Sequence, residues 1–310
     1  MESRGERLKH IRILAWLLAV LSFSIVLISA YIRLYGAGLG CAEWPVCYGQ
    51  LLVGGPHPHV GMVRIMHRVT AALSLLVGFA TVWRCLRPTP IQPVARYATW
   101  LLVLMILLTL VGLWSSDPHR VWASFINIIG GLVLVALAGR LVLAVTGNAA
   151  PTIPSRFGLL FGAGLASLSL TLVVGALIGA RYAAASCLTL PECGGYWWPE
   201  AEGWASLNPF ARISAASAPG DRGGVTLHLL HRYGAAASLL LLGTAGLRML
   251  ANNATRQAAK WLLALLVLEV ALGSLTVASG FKLWLAVAHS VCAAAVLAAA
   301  IQLRCRGSCD

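Results

Sequence analysis

Three histidines stand where histidine is costly. His67, His231 and His289 each lie inside a long apolar run, and His67-Arg68 is echoed by His231-Arg232. An ionisable side chain in such a run is a functional hypothesis by default. Each lies about five to seven residues from one end of its run, so a rise of ~1.5 Å per residue puts all three in one layer roughly 8–10 Å deep. Neutral imidazole binds zinc, copper and haem iron alike. A zinc or copper site wants a third or fourth ligand at the same level, whereas two histidines on separate helices suit the axial positions of a haem. Polar packing is the bland alternative, and spacing alone does not choose among the three. Gly234 to Ala237, with Ala286, Ala288 and Ala293 to Ala295, leave room for a flat macrocycle or serve close helix packing. Arg68 and Arg232 either face haem carboxylates or snorkel to the interface. His228, one turn before His231, reads as an outer-shell partner. Glu269, the one acid inside a run, is a proton carrier, a partner for a polar group or an interhelical hydrogen-bonding residue.

The cysteines form two matched pairs. Cys41 and Cys47 enclose five residues, as do Cys187 and Cys193. Zinc ligands are usually separated by two to four residues, so a local disulfide in each loop is the better reading, given an oxidising compartment on that side. Cys85, Cys305 and Cys309 fall on the opposite, reduced side, and Cys292 reads as a small core residue. The glycines of Gly36-Ala37-Gly38-Leu39-Gly40 follow an apolar span rather than a strand, which fails the context required of a dinucleotide loop. They read as a tight turn that sets Cys41. Tyr196-Trp197-Trp198-Pro199, with Trp204, reads as an interfacial belt or the roof of a pocket.

The elements that position these residues follow from composition. Of 310 residues, 59% are hydrophobic and 11% charged, and the mean hydropathy is +0.82; globular chains carry about 25% charge. Eight runs are long enough for a ~30 Å hydrocarbon core: about 13–32, 62–84, 98–114, 122–142, 157–180, 225–247, 259–279 and 283–303. The first is too long for a signal-peptide core and lacks a good cleavage site, so it reads as an uncleaved span. With the N-terminus cytoplasmic, fourteen of the 23 Lys and Arg fall on inner flanks, six on outer segments and three within spans. That obeys the positive-inside rule and accounts for the net charge of +13 without nucleic acid. An all-α multi-pass membrane protein is predicted, with both termini cytoplasmic.

The chain also repeats. His67 to Asn127 is 60 positions and His231 to His289 is 58, and each half carries one cysteine pair. Four spans per half give both halves the same orientation, a parallel repeat about an axis along the membrane normal. Residues 1–150 and 151–310 are therefore expected to form two four-helix bundles, with a linker near Pro151, Pro154 and Arg156.

At these residues the chain resembles the haem A synthase family of bacterial membranes and the mitochondrial inner membrane. The likeness is densest over Arg33 to Cys41 and Ala42 to Gly49. It takes in His67-Arg68, Ile128 to Leu132, Cys187 to Cys193, His231-Arg232 and Leu285 to His289, and so covers nearly the whole chain. The resemblance implies oxidation of a methyl group of haem O to the formyl group of haem A, for cytochrome oxidase assembly in the cell inner membrane. It implies a haem b held by His231 and His289 in the C-terminal half. The N-terminal half would hold the substrate haem O on His67, delivered in turn by a haem O-producing enzyme, and an oligomer is compatible with it.

Two positions depart from the family pattern. Asn127 stands where the resemblance implies a second histidine, and Arg64 where it implies a glutamate three residues before His67. Asparagine is a poor iron ligand beside imidazole, and arginine stays protonated and cannot serve as a base. Three readings follow: haem A synthase, a catalytically altered haem b-binding assembly protein of the same family, and a small transporter built on a parallel repeat.

Overall fold

The computed structural model describes residues 4–39, 58–115, 117–147, 152–153 and 155–305. Cys41, Cys47, His57 and Cys309 lie outside the described residues, as do the side chains of His59 and Cys305. Among the described residues, eight helices are long and apolar enough to cross a membrane: α1 (Arg4–Gly36), α2 (Pro58–Leu86), α3 (Val94–Gly112), α4 (Val121–Thr146), α5 (Ser155–Ala180), α6 (Arg222–Met249), α7 (Asn253–Ala278) and α8 (Leu283–Ile301). Helix is the outcome because a single span in hydrocarbon must satisfy its own backbone hydrogen bonds. Side-chain hydroxyls are satisfied in the same local way: Ser22 donates to the Leu18 carbonyl at 2.7 Å and Thr81 to Val77 at 2.6 Å.

All eight expected spans are present, but most helices run past their apolar runs. Hydropathy marks the lipid-facing length, whereas caps set the ends. The Asp221 carboxylate accepts from the Gly224 amide at 2.8 Å and starts α6 before its apolar run. Asn252 does the same for α7 through Ala254, and Gly147, at φ 70°, closes α4 in the left-handed conformation. Helix α3 begins at Val94, directly after Pro93, because Arg96 and Tyr97 belong to its first turn rather than to a flank.

Helix α1 packs on α2 and α4, α3 on both α2 and α4, α6 on both α5 and α7, and α7 on α8. The first group meets the second where α4 and α1 contact α8, and where α4 contacts α5. That seam is filled by Leu132, Val135, Ala294 and Ala298, all buried. Large apolar side chains on the outside, such as Leu159 (88% exposed) and Leu240 (69%), form the surface that lipid covers.

At the end carrying both termini, Arg7 is buried and donates to the carbonyls of Arg84 (2.6 Å), Cys85 (2.9 Å) and Thr89 (2.7 Å), closing the end of α2. A two-residue parallel pairing joins Thr152–Ile153 to Arg304–Cys305. It fixes the connection between α4 and α5 beside the end of α8.

The opposite end is built from the long α5–α6 connection. A 3-10 turn (Ala184–Ser186) leads into the Cys187–Cys193 loop, and a second 3-10 turn (Ala201–Leu207) follows. Cys187 and Cys193 are bonded, with Cα atoms 5.1 Å apart. The Tyr233 hydroxyl donates to the Trp197 carbonyl, and the Tyr233 and Trp198 rings lie 5.5 Å apart. Trp197, Trp198 and Trp204 remain exposed at this rim. Asp117 is held within the α3–α4 turn by Arg120 (2.9 Å) and ties that turn to the same loop through Arg212 (3.3 Å), and the His119 Nδ1–H donates to the Ile213 carbonyl at 2.8 Å.

Candidate functional site

Two of the three intramembrane histidines meet. His231 is the tenth residue of α6 and His289 the seventh of α8. Their helices lie across the second bundle from each other, yet the ring centroids are 6.1 Å apart and the rings are turned 84° to one another.

Each ring turns one nitrogen to an oxygen on a neighbouring helix and has one left over. His231 Nδ1 lies 3.0 Å from the Thr171 carbonyl. A carbonyl only accepts, so Nδ1 carries the proton and Nε2 keeps its lone pair. His289 Nδ1 lies 3.1 Å from Glu269 Oε1, which again leaves Nε2 as the free nitrogen. Metal-binding histidines characteristically give their second nitrogen to a carbonyl or carboxylate.

The neighbouring helices admit these rings through glycine. A Cβ on Gly175 of α5 would stand 2.9 Å from His231 Cε1, and one on Gly273 of α7 would stand 3.1 Å from His289 Cε1. Side chains on a helix lean towards its N-terminus, so the residue at i+4 covers the carbonyl at i. Gly175 is four residues after Thr171, and Gly273 four after Glu269. Each glycine therefore bares the group its histidine reaches.

These two cradles are the fit test for a haem. Two axial imidazoles, each about 2 Å from a metal with roughly 1 Å more to the ring centre, stand roughly 6 Å apart, against the observed 6.1 Å. Among the described residues no group of three or more His, Cys, Asp or Glu is arranged to hold a metal ion, which is the pattern zinc or copper would want. The donor set thus fits a metal bound from two opposite sides.

Other expected residues fall elsewhere. His228 is not an outer-shell partner of His231: its Nε2–H donates to the Ala183 carbonyl at 3.0 Å, and its ring meets Phe281 edge-on. It locks the top of α6 to the segment after α5. Gly234 sits against Thr171 so closely that a Cβ would collide; here the small residue serves α5–α6 packing. Arg232 donates to the carbonyls of Pro191 (3.1 Å) and Glu192 (2.7 Å), tying the helix of His231 to the disulfide loop.

His67 is the tenth residue of α2 and Asn127 the seventh of α4, the same positions that His231 and His289 hold in α6 and α8. Arg64, one turn before His67, is exposed. Just beyond α5, Tyr182 is buried, and that burial pushes its phenol above the usual range while the charges of Arg33 and Arg64 pull the other way. Arg33 and Arg64 therefore share one electrostatic neighbourhood beside a residue from the second half of the chain.

Thr171, Gly175 and Gly273 escaped the sequence reading. The available signal was a polar residue followed four positions later by glycine, on each of the two helices flanking the histidine pair.

An eight-span helical membrane protein with two close imidazoles in its second bundle defines the class: a polytopic protein with a candidate axial-ligand pair. The sequence pattern of the COX15-CtaA family of cytochrome oxidase assembly proteins matches residues 12–58 and 118–301, and the chain belongs to that family. The stretch between those matches contains Arg64 and His67. The chain is 27% identical to a haem A synthase of Shewanella oneidensis over 92% of its own length and 93% of that protein. It is 37% identical to a haem A synthase of Symbiobacterium thermophilum over 29% of each chain. A further 111 residues are 32% identical to part of a protohaem IX farnesyltransferase of Thermus thermophilus, covering 33% of this chain and 18% of that protein.

Proposed function

We propose that this chain is a membrane oxidoreductase of haem A synthesis, acting on haem O in the cell inner membrane with both termini cytoplasmic. Residues 1–150 would form the substrate half and 151–310 the half that holds haem b between His231 and His289. The observation that carries the reading is the close imidazole pair, each ring with Nδ1 turned to an oxygen of a neighbouring helix. When bound, haem b supplies one-electron chemistry that no side chain here can supply. The protein orients both rings through Thr171 and Glu269, leaves space for them at Gly175 and Gly273, and closes the outer end with the Cys187–Cys193 loop. In the substrate half, His67 offers the one imidazole of the His67/Asn127 pair of positions. The partial likeness to a protein named for protohaem farnesylation supports a partner that supplies farnesylated haem.

A second reading is favoured by a specific observation. Asn127 and Arg64 replace the expected histidine and glutamate, and Arg64 adds positive charge near Arg33 and Tyr182 where a base is wanted. On this reading the chain keeps haem b as an assembly factor and makes little haem A.

Spectra test the shared core of both. The purified chain should show low-spin, six-coordinate haem, and His231→Ala or His289→Ala should make it high-spin or abolish it; unchanged spectra in both variants would sink the assignment. Pigment extracted from cells with a haem O source then separates the two readings: formyl haem supports the synthase, and haem b without it supports the altered protein.

A further inference from the structure

The two imidazoles are held by unlike partners. His231 leans on a neutral peptide carbonyl, Thr171 O at 3.0 Å. His289 faces a carboxylate, Glu269 Oε1 at 3.1 Å, across the gap between α8 and α7. The Glu269 side chain is largely buried, with 17% of its surface exposed, and its Oε2 is buried with no hydrogen-bond partner. The His289 Nδ1 stands close to Oε1 without completing a hydrogen bond. A carboxylate in a span is expensive, and Gly273, one turn along, is what lets His289 approach it. Cys292, one turn deeper on α8, gives its thiol to the Leu265 carbonyl at 3.8 Å and lies beside the same Glu269 carboxylate.

We infer that Glu269 is a positioning residue for His289, fixing its Nδ1–H tautomer and, through its negative charge, holding the potential of the bound haem low. This rests on the haem-binding reading proposed above. A carboxylate facing Nδ1–H raises the basicity of the ligating nitrogen. A more basic axial ligand favours the ferric over the ferrous state, and second-shell hydrogen bonding is one of the levers that set a haem potential. His231, on a neutral carbonyl, lacks that contribution. The site would then have one ordinary imidazole and one that is electron-rich, making the haem a ready electron donor.

The experiment uses the full-length holoprotein in detergent or nanodiscs and reads the haem midpoint potential alongside the low-spin absorption and electron paramagnetic resonance signals. Glu269→Gln keeps an oxygen acceptor for Nδ1–H and removes the charge. Outer-shell changes typically alter metal-site equilibria 10–100-fold, so the ferric preference should weaken by at least tenfold, an upward shift of about 59 mV for one electron. Glu269→Asp, which restores the charge, should return the potential towards wild type. If Gln loses haem and Asp keeps it, the inference is also supported, since the carboxylate is then needed to hold the ring. A low-spin Gln variant at the wild-type potential overturns it, as does loss of haem from both variants. Failure of the underlying reading is distinct: the wild-type chain would itself carry no low-spin haem.

Discussion

A single methyl group on α5 should loosen one side of the proposed haem site. In Gly175→Ala the new Cβ stands 2.9 Å from His231 Cε1 and 3.1 Å from Nδ1, inside the roughly 3.5–4.0 Å that carbon contacts prefer. The ring must retreat by roughly half an ångström to restore that contact. Its 3.0 Å bond to the Thr171 carbonyl then stretches past the ~3.2 Å range of a good N–H···O bond. A bound haem needs the ring in its original place, so the bound state bears the overpacking against the new methyl, about 2 kcal/mol. That corresponds to a roughly 30-fold loss of haem affinity. Haem titration of protein expressed without haem, followed by absorbance, measures it directly. Gly273→Ala should cost less, because its Cβ stands 3.1 Å from His289 Cε1 but 3.5 Å from Nδ1. Gly162→Ala, also on α5 with nothing within 4 Å, is the control and should change nothing. Equal affinities for Gly175→Ala and Gly162→Ala would refute the reasoning, as would a larger loss from Gly273→Ala.

Three other perturbations have defined outcomes. Arg7→Ala removes three charge-assisted bonds to carbonyls near the end of α2 and should lower stability by about 3 kcal/mol, read as a lower denaturation midpoint in detergent; Arg7→Lys should recover only part. The Asp117 carboxyl is held below its ordinary value of 3.8, first by its hydrogen bond with Arg120 and also by the His119 amide and the charge of Arg212. The tie it makes is therefore complete above the ordinary carboxylate range and lost only as pH falls through the depressed value. Spin labels at Ser115 and Ala211 should stay at constant separation into acid and then part, whereas in Asp117→Asn the separation should not depend on pH over that window. Alkylation of the native protein without reductant should leave Cys187 and Cys193 unlabelled; modification of both would count against their bond.

What the sequence discloses follows what lipid imposes. Each span had to be long, apolar and self-bonded, so all eight were legible from composition. Their ends were not, because Asp221, Asn252 and Gly147 act through local backbone geometry that hydropathy does not register. The histidine pair was visible because an imidazole in an apolar run stands out. Its setting was hidden: Gly175 and Gly273 look like any small residue in a span until the rotation of α5 and α7 about their axes is known. The same ignorance of rotation left Gly234 open between room for a ligand and close packing, and it is the contact point of α5 and α6. His228 was assigned to His231 on sequence proximity alone, although residues three apart on a helix lie side by side and need not share a ligand.

The two halves of the chain can fail independently. All the groups around the proposed haem b site come from α5 to α8: Thr171 and Gly175, His231, Glu269 and Gly273, and His289. Arg64 and Asn127 lie on α2 and α4, and the middle of the seam between the helix groups is apolar, built on Leu132, Val135, Ala294 and Ala298, with polar ties at its ends through Arg140 and Asp117. Among the described residues, the contacts that hold the two rings, Thr171 with His231 and Glu269 with His289, stay within α5 to α8. Perturbations that share no partner add, so the substitutions in the N-terminal pocket should leave the proposed C-terminal haem in place. A chain can thus drift away from catalysis while keeping a stable, spectroscopically ordinary haem b. Bound pigment by itself is therefore no evidence of haem A synthesis; only the formyl product is.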